Sequence, residues 1–352
     1  MSWRLSRKRA ASAAILSRRG RGLLIRIGIA GAGGMAAQRC REFNASGTAR
    51  VDGIYSTSRQ KTALLAESSS ARAFDDFHRM LPEVDAVVLC TPNAVHGSLA
   101  RASLEAGKHV LVEYPLCADT GEAETLRALA RECRRVLMTG NTIIHEAMFR
   151  YLVERRELLG DVLSASSRVA LYDKALAGRW YMNRKELGSV FAGFHYHHIE
   201  YYRRLLGEVQ WVLARDESRL DVAGGTLVMG HLSGATSCVQ WYLSRSGSGL
   251  PRGLWMNGTR SSVTIISREP GRSLAVWNDG GKGREETIED DWGVRGSCRD
   301  FIDAIEGRLD HEARLAADME TLRVGLLAEE AARSGGVLAT RQSFAPPNAS
   351  LP

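Results

Sequence analysis

The stretch Ile25-Arg26-Ile27-Gly28-Ile29-Ala30-Gly31-Ala32-Gly33-Gly34-Met35-Ala36-Ala37-Gln38 decides how the chain is read. It opens on alternating isoleucines, breaks into glycines, and resumes as the alanine-rich start of a helix. Strand, glycine turn and helix in that order are what a dinucleotide-binding turn requires. Gly31 can take the tight backbone turn, and Gly33 lets a pyrophosphate approach the main chain. Ala36 is small where helix and strand must pack closely. The free N–H groups at the helix start, around Gly34 and Met35, face the phosphates. An ordinary glycine-rich strand-to-helix turn has the same composition, so the assignment needs support from elsewhere in the chain.

The 352 residues are enough for two domains, and 44% apolar with 25% charged residues is ordinary for a globular protein. A net charge of +7 suggests nucleic-acid binding until it is located. Residues 1–24 hold Arg4, Arg7, Lys8, Arg9, Arg18, Arg19 and Arg21 and no acid; removing these seven from 47 basic residues leaves 40, against 40 acidic ones. The body is formally neutral, which argues against a nucleic-acid or membrane surface. The extension over 1–23 reads as a disordered tail or an over-long gene start, with an organelle transit peptide or a basic arm as the other reading. No later stretch approaches the roughly 20 apolar residues of a membrane span. Six cysteines lie scattered without C-x-x-C pairs or a metal-type grouping, which fits free thiols in a reducing, cytoplasmic compartment.

Beyond the first helix, Val51 to Tyr55 reads as a second strand. The residue that reads the adenosine ribose stands at the end of such a strand: an acid for the 2′-hydroxyl, hydroxyls and a cation for a 2′-phosphate. Here the chain has Ser56-Thr57-Ser58-Arg59, with Lys61 beyond and no acid in the stretch. That favours NADP(H), with NAD(H) open; a plain polar loop is the alternative. Val84 to Cys90 is an apolar run suited to a strand buried on both faces, and it ends in the polar loop Thr91-Pro92-Asn93-Ala94-Val95-His96, where ligands bind in such sheets, so Thr91, Pro92, Asn93 and His96 are cofactor candidates, as is Glu113 after the next strand. A second such strand runs from Gly107 into Glu113-Tyr114-Pro115, where Pro115 can be cis. The alternation of strands and helices up to Thr139 predicts a parallel, doubly wound sheet.

The G-x-G-x-x-A turn, the Thr91-Pro92-Asn93-x-x-His96 loop and the segment from Ala106 to Pro115 together resemble the Gfo/Idh/MocA oxidoreductase family. So do Gly188 to Gly207 and the stretch from Ala317 to Val337, in the same order over residues 24–340. The resemblance implies an α/β fold: an N-terminal Rossmann domain, then an α/β domain with a large open, mainly antiparallel sheet. That second domain would supply the substrate wall and the contact of a homo-oligomer. We divide the chain accordingly into the extension 1–23, a dinucleotide-binding domain over 24–140, a substrate and oligomerisation domain over 141–340, and a tail over 341–352 containing Pro346-Pro347.

The departures from the family are informative. Sugar and inositol dehydrogenases of the family carry Glu-Lys-Pro and Asp-x-x-x-His; this chain has Tyr114 at the lysine place, Gly193 at the aspartate place and His197 at the histidine place. A base tuned near neutrality and a lysine to hold the alkoxide suit alcohol oxidation, and two of those three parts are missing. Glu113-Tyr114-Pro115, Ala36-Ala37-Gln38-Arg39 and Arg179-Trp180-Tyr181 resemble the biliverdin reductase branch, which implies reduction of a conjugated substrate. The residues alone allow Tyr114 or His197 to give a proton beside the atom that receives hydride, a histidine having an unperturbed pKa of about 6.5. Helical spacing places His197 and Tyr201 on one face, with His198 and Tyr202 on the neighbouring stripe. Packing at a domain seam is the alternative for all of them. Trp180, Tyr181, His195, His198 and Tyr201 are the substrate candidates; no metal is expected.

Asn141, after a strand end, is a candidate for the nicotinamide pocket or a helix cap, and helix is expected over 141–158. Strand-like alternation follows from Val162 to Leu171 and around 209–215, 225–230, 236–243, 252–257 and 261–267, with a hairpin turn at 278–283 and helices over 298–307 and 316–334. The reading is an NAD(P)H-dependent oxidoreductase acting on a small molecule, reduction favoured. A non-catalytic dinucleotide-binding regulator and a polyol dehydrogenase with a rearranged base are the alternatives.

Overall fold

Apolar residues on both faces make the strands of the first sheet. In the computed structural model these are β1 (Ile25–Ala30), β2 (Ala49–Tyr55), β3 (Arg72–Phe74), β4 (Ala86–Leu89), β5 (His109–Val112) and β6 (Leu137–Thr139). Every residue of β4, β5 and β6 is buried, as a central strand covered on two sides demands. The order is β3-β2-β1-β4-β5-β6 with every pairing parallel. The order reverses between β1 and β4, and in such sheets a crevice for ligands opens there, outside the carboxyl ends of the strands.

The structure describes residues 24–340 except 174, 220, 221, 246–251, 270, 282 and 290. The extension 1–23 and the tail 341–352 lie outside the described residues. Among those described, no helix is long and apolar enough to cross a membrane.

The chain divides into two units, and they are interleaved. The first holds the residues up to His145 together with Asn183–Gly188 and Trp292–Leu322; the second holds Glu146–Met182, Ser189–Asp291 and the residues from Arg323. The single cut after residue 140 expected above thus gives way to several crossings. The reason is apolar: the helix Val294–Ile305 buries Val294, Cys298, Phe301 and Ile302 in one cluster with Ile27, Phe43, Val51 and Val88 of the first sheet layer. Gly293, at φ 65°, opens that helix four residues before the expected start.

The second unit is built on nine strands: β7 (Val162–Tyr172), β8 (Val209–Asp216), β9 (Val222–His231), β10 (Thr236–Ser244), β11 (Gly253–Gly258), β12 (Ser262–Glu269), β13 (Arg272–Asn278), β14 (Arg284–Glu289) and β15 (Leu338–Ala339). Their order is β14-β13-β12-β11-β7-β10-β9-β8-β15. Only β7 and β10 pair parallel. Burial alternates along β13, and Ala275 and Trp277 face inward. The turn expected at 278–283 joins β13 to β14, with residue 282 outside the described set. The expected helix over 141–158 divides into a 3₁₀ turn at Ile143–His145 and short helices at Ala147–Glu154 and Arg156–Leu159.

Candidate dinucleotide site and the histidine helix

Gly31 ends β1 at φ 122°, and its N–H donates to the Tyr55 carbonyl at 2.7 Å, tying the turn to the end of β2. A Cβ there would lie 2.2 Å from the Cys90 carbonyl oxygen. No side chain fits. Around Gly33 and Gly34 the situation is opposite, for a Cβ would meet nothing within 4 Å, so this side of the turn is open to a ligand. Gly33 caps the helix Gly34–Ala45 without a side-chain hydrogen bond, and the first N–H to find a carbonyl partner is that of Ala37. The amides of Gly34, Met35 and Ala36 form the anion-facing end of a helix. Ala36 is fully buried, as its packing role requires.

At the end of β2, Ser58 caps the helix Arg59–Ser69 by accepting from the Lys61 N–H. Ser56 shares a hydrogen bond of 2.7 Å with Thr62. Thr57, Arg59 and Lys61 are exposed. Two hydroxyls are thus used locally, while one hydroxyl and two cations face solvent.

The loop after β4 is held from several sides. His96 is wholly buried; its Nδ1 lies 2.7 Å from the Pro115 carbonyl and its Nε2 2.9 Å from that of Thr91. Burial pushes its pKa down, while the two carbonyls oppose the shift. Expected as a cofactor contact, His96 instead ties the loop after β4 to the loop after β5. The Asn93 amide donates to the Leu187 carbonyl at 3.0 Å. Thr91 Oγ1 is buried with no hydrogen-bond partner in the protein. Pro92 is the N-cap of the turn Asn93–Val95.

Glu113 does not face a ligand either. It accepts from Arg39 Nε at 2.7 Å, and Arg39 is completely buried. Arg39 also donates to the Gly140 carbonyl at 2.9 Å. Burial works against the guanidinium charge, but the Glu113 carboxylate and its neighbours outweigh it and raise the pKa. Arg39, noted above only within Ala36-Ala37-Gln38-Arg39, was missed as a positioning residue. Tyr114 follows Glu113, half-buried, and its bond to Pro115 is cis. Asn141 is a cap rather than a pocket wall. Its Oδ1 accepts from the Ile143 N–H at 3.2 Å and its Nδ2 donates to Asp318 at 3.0 Å, which also accepts from Thr139 at 2.5 Å.

In the second unit the histidines stand on the helix Tyr196–Leu206 and at its N-cap, His195. His195 is wholly buried, with Nε2 3.0 Å from the Gly225 carbonyl, and burial pushes its pKa down to about 4. It is a packing residue, not the substrate contact expected. Burial, then the neighbouring His195 and His197, push His198 down to about 3. His197 is half-buried on the same helix. Tyr201 is buried with its ring edge-on to Phe149 at 5.3 Å, so it too is core. Trp180 and Tyr181 belong to an aromatic row: Trp180 meets Tyr181 at 5.5 Å, Tyr181 meets Phe194 at 6.0 Å, and Phe194 lies flat on Trp241 at 4.4 Å.

Residues 25–141 match the model of the oxidoreductase family with an NAD-binding Rossmann fold, Gfo/Idh/MocA. Among curated proteins, a UDP-N-acetylglucosamine 3-dehydrogenase of Acidithiobacillus ferrooxidans is 32% identical over 117 residues, 33% of this chain and 37% of that protein. A dTDP-3,4-didehydro-2,6-dideoxy-alpha-D-glucose 3-reductase of Streptomyces violaceoruber is 34% identical over 149 residues, 41% of this chain and 43% of that protein. The chain thus spans about two fifths of the length of these relatives. Across both units the fold is similar to that of a Synechocystis biliverdin reductase solved with biliverdin and NADP+, with a TM-score of 0.79 at 22% identity over 87% of this chain and 98% of that one. That likeness is one of fold. The glycine turn and the strand order agree with that match, so over residues 25–141 this chain is similar to the Gfo/Idh/MocA oxidoreductases.

Proposed function

We propose that the chain is an NAD(P)H-dependent oxidoreductase that reduces a small molecule, with NADP(H) the preferred dinucleotide. The observation that carries this is the Gly31–Gly33 turn: a residue no side chain can replace, followed by an open approach to three helix-start amides. Gly33, Gly34, Met35 and Ala36 would hold the pyrophosphate, and Thr91 would use its spare hydroxyl nearby. Thr57, Arg59 and Lys61, exposed at the end of β2 with no acid among them, support a 2′-phosphate.

A bound NAD(P)H supplies the hydride; this chain supplies orientation and a proton. We assign proton donation, or a hydrogen bond to a substrate carbonyl, to Tyr114, and keep His197 as the other candidate for the same role. Arg39 and Glu113 fix the strand end that carries Tyr114. Substrates resembling the biliverdin or sugar-nucleotide ligands of the relatives are the classes to try first. A homo-oligomer formed through the second sheet and a cytoplasmic location complete the proposal; described cysteines that are all free thiols support the latter.

The test is binding of NADPH and NADH, followed by NADPH oxidation with bilins, cyclic imines, keto-sugars and conjugated ketones. Turnover that falls by about 10²-fold or more in Tyr114→Phe, with NADPH affinity kept, supports the assignment. If His197→Ala falls and Tyr114→Phe does not, the proton role moves to His197. Tight binding without turnover favours the regulator reading, for which the missing lysine and aspartate already speak. Absence of dinucleotide binding sinks the proposal.

A further inference from the structure

We propose that the cleft between the end of the helix Gly34–Ala45 and the helix Val294–Ile305, within the first unit, is a second ligand site. It takes a small amphiphilic oxyanion: a carboxylate or phosphate carried on an apolar body. The site stands apart from the reductase reading and does not depend on it. The cleft has a volume of about 580 Å³, inside the range of small-molecule sites. Its floor is apolar. Cys298 and Ile302, one helical turn apart, line it together with Ala45. Burial pushes the Cys298 thiol up to about 11, so it meets a ligand uncharged.

The rim is charged and almost fully paired. Three arginines, Arg295, Arg299 and Arg308, stand there against two carboxylates, Glu42 and Asp303. Arg295 Nε donates to Glu42 at 3.0 Å, and Arg308 Nε donates to Asp303 at 3.0 Å. Arg299, one turn after Arg295, is exposed and forms no ion pair among the described residues. One guanidinium therefore keeps its planar fork of donors for a guest, and that fork matches a carboxylate or a phosphate with two parallel hydrogen bonds. A lone arginine on a surface is ordinary. At the lip of an apolar cleft it selects a ligand that buries a body and pairs a charge at once. The negative end of the helix Gly34–Ala45 is muted beside it, because the Ser46 N–H and hydroxyl both donate to the Phe43 carbonyl, at 3.1 and 2.7 Å. The dinucleotide turn lies elsewhere. Glu42 and Ala45 come eight and eleven residues after Gly34, about 12–16 Å along the helix axis.

The test titrates the full-length protein with 2-naphthoate, 1-naphthyl phosphate and neutral 2-naphthol by isothermal titration calorimetry, with and without NADPH. At least one anion should bind, and the tighter of the two names the head group. Its affinity should fall by about tenfold or more in Arg299→Ala, with part recovered in Arg299→Lys. Ala45→Phe, which fills the cleft from an exposed position, should weaken it as well. Melting curves check that each variant is folded, and both positions are exposed, so the fold should be kept. Binding of neither anion, unchanged binding in Arg299→Ala, or equal binding of 2-naphthol overturns the site. Displacement of the anion by NADPH also overturns it, by placing the anion in the dinucleotide turn. Anion binding in a protein that fails to bind NADPH removes the reductase reading and leaves this site standing.

Discussion

Gly31 meets a stringent demand, with a positive φ and a carbonyl oxygen where a Cβ would stand. Gly31→Ala is expected to cost at least about 2 kcal/mol of stability and to abolish NADPH binding, measured by urea melts and fluorescence titration. A pair that the sequence does not announce carries the second residue-scale prediction. Arg39→Met leaves the Glu113 carboxylate buried without its partner and should cost about 3–5 kcal/mol, with Arg39→Met plus Glu113→Leu recovering part of it. Normal stability in the single variant would refute the pairing. The difference in legibility between these residues is physical. Gly31 is constrained by its immediate neighbours, so a local pattern reveals it. Arg39 and Glu113 meet across 74 residues of chain, and nothing near either one announces the other. His195 misled in the same way, because its partner is the Gly225 carbonyl on a distant strand.

Elements were legible where burial is uniform or alternates cleanly. The apolar runs of β4 and β5 and the alternation of β7 to β12 stand in the sequence as strands. Strands β13 and β14 were anticipated only as the arms of a hairpin turn, for Arg284-Glu285-Glu286-Thr287 looks like solvent-exposed loop. Pairing with β13 makes that charged edge a strand. The helix Val294–Ile305, expected over 298–307 within the second domain, is core of the first unit. Phe301 is fully buried there, its ring edge-on to Phe43 at 6.4 Å. Phe301→Ala should therefore cost about 3–5 kcal/mol. A fragment ending at His145 should fail to give a cooperative melt, whereas a sharp transition by circular dichroism would show that residues 292–322 are dispensable.

For the molecule as a whole, buried neutral histidines set the acid limb of stability. Burial lowers His195 to about 4, and His198 and His109 to about 3. In the unfolded chain they titrate near 6.5. As pH falls below that value the unfolded state takes up protons that the native state refuses, so stability drops; above about 6.5 they contribute no pH dependence. Each adds a slope of up to about 1.4 kcal/mol per pH unit between its two pKa values. Urea midpoints should thus fall steeply from pH 6.5 to 4.5, and His195→Asn should remove one histidine's share of that fall, up to about 1.4 kcal/mol per pH unit. An unchanged slope in the variant would show that His195 is not held neutral.

The interleaving of the two units has a consequence for how the protein is made. A ribosome releases the strands of the first sheet early, yet the helix that seals its core is encoded after an intervening stretch from 146 to 291, broken only by Asn183–Gly188. At about 5–20 residues per second, translation from His145 to Leu322 takes on the order of 10–35 s. For that time Phe43 and its neighbours wait without Phe301, and the nascent chain presents an incomplete apolar surface to whatever chaperone stands at the exit.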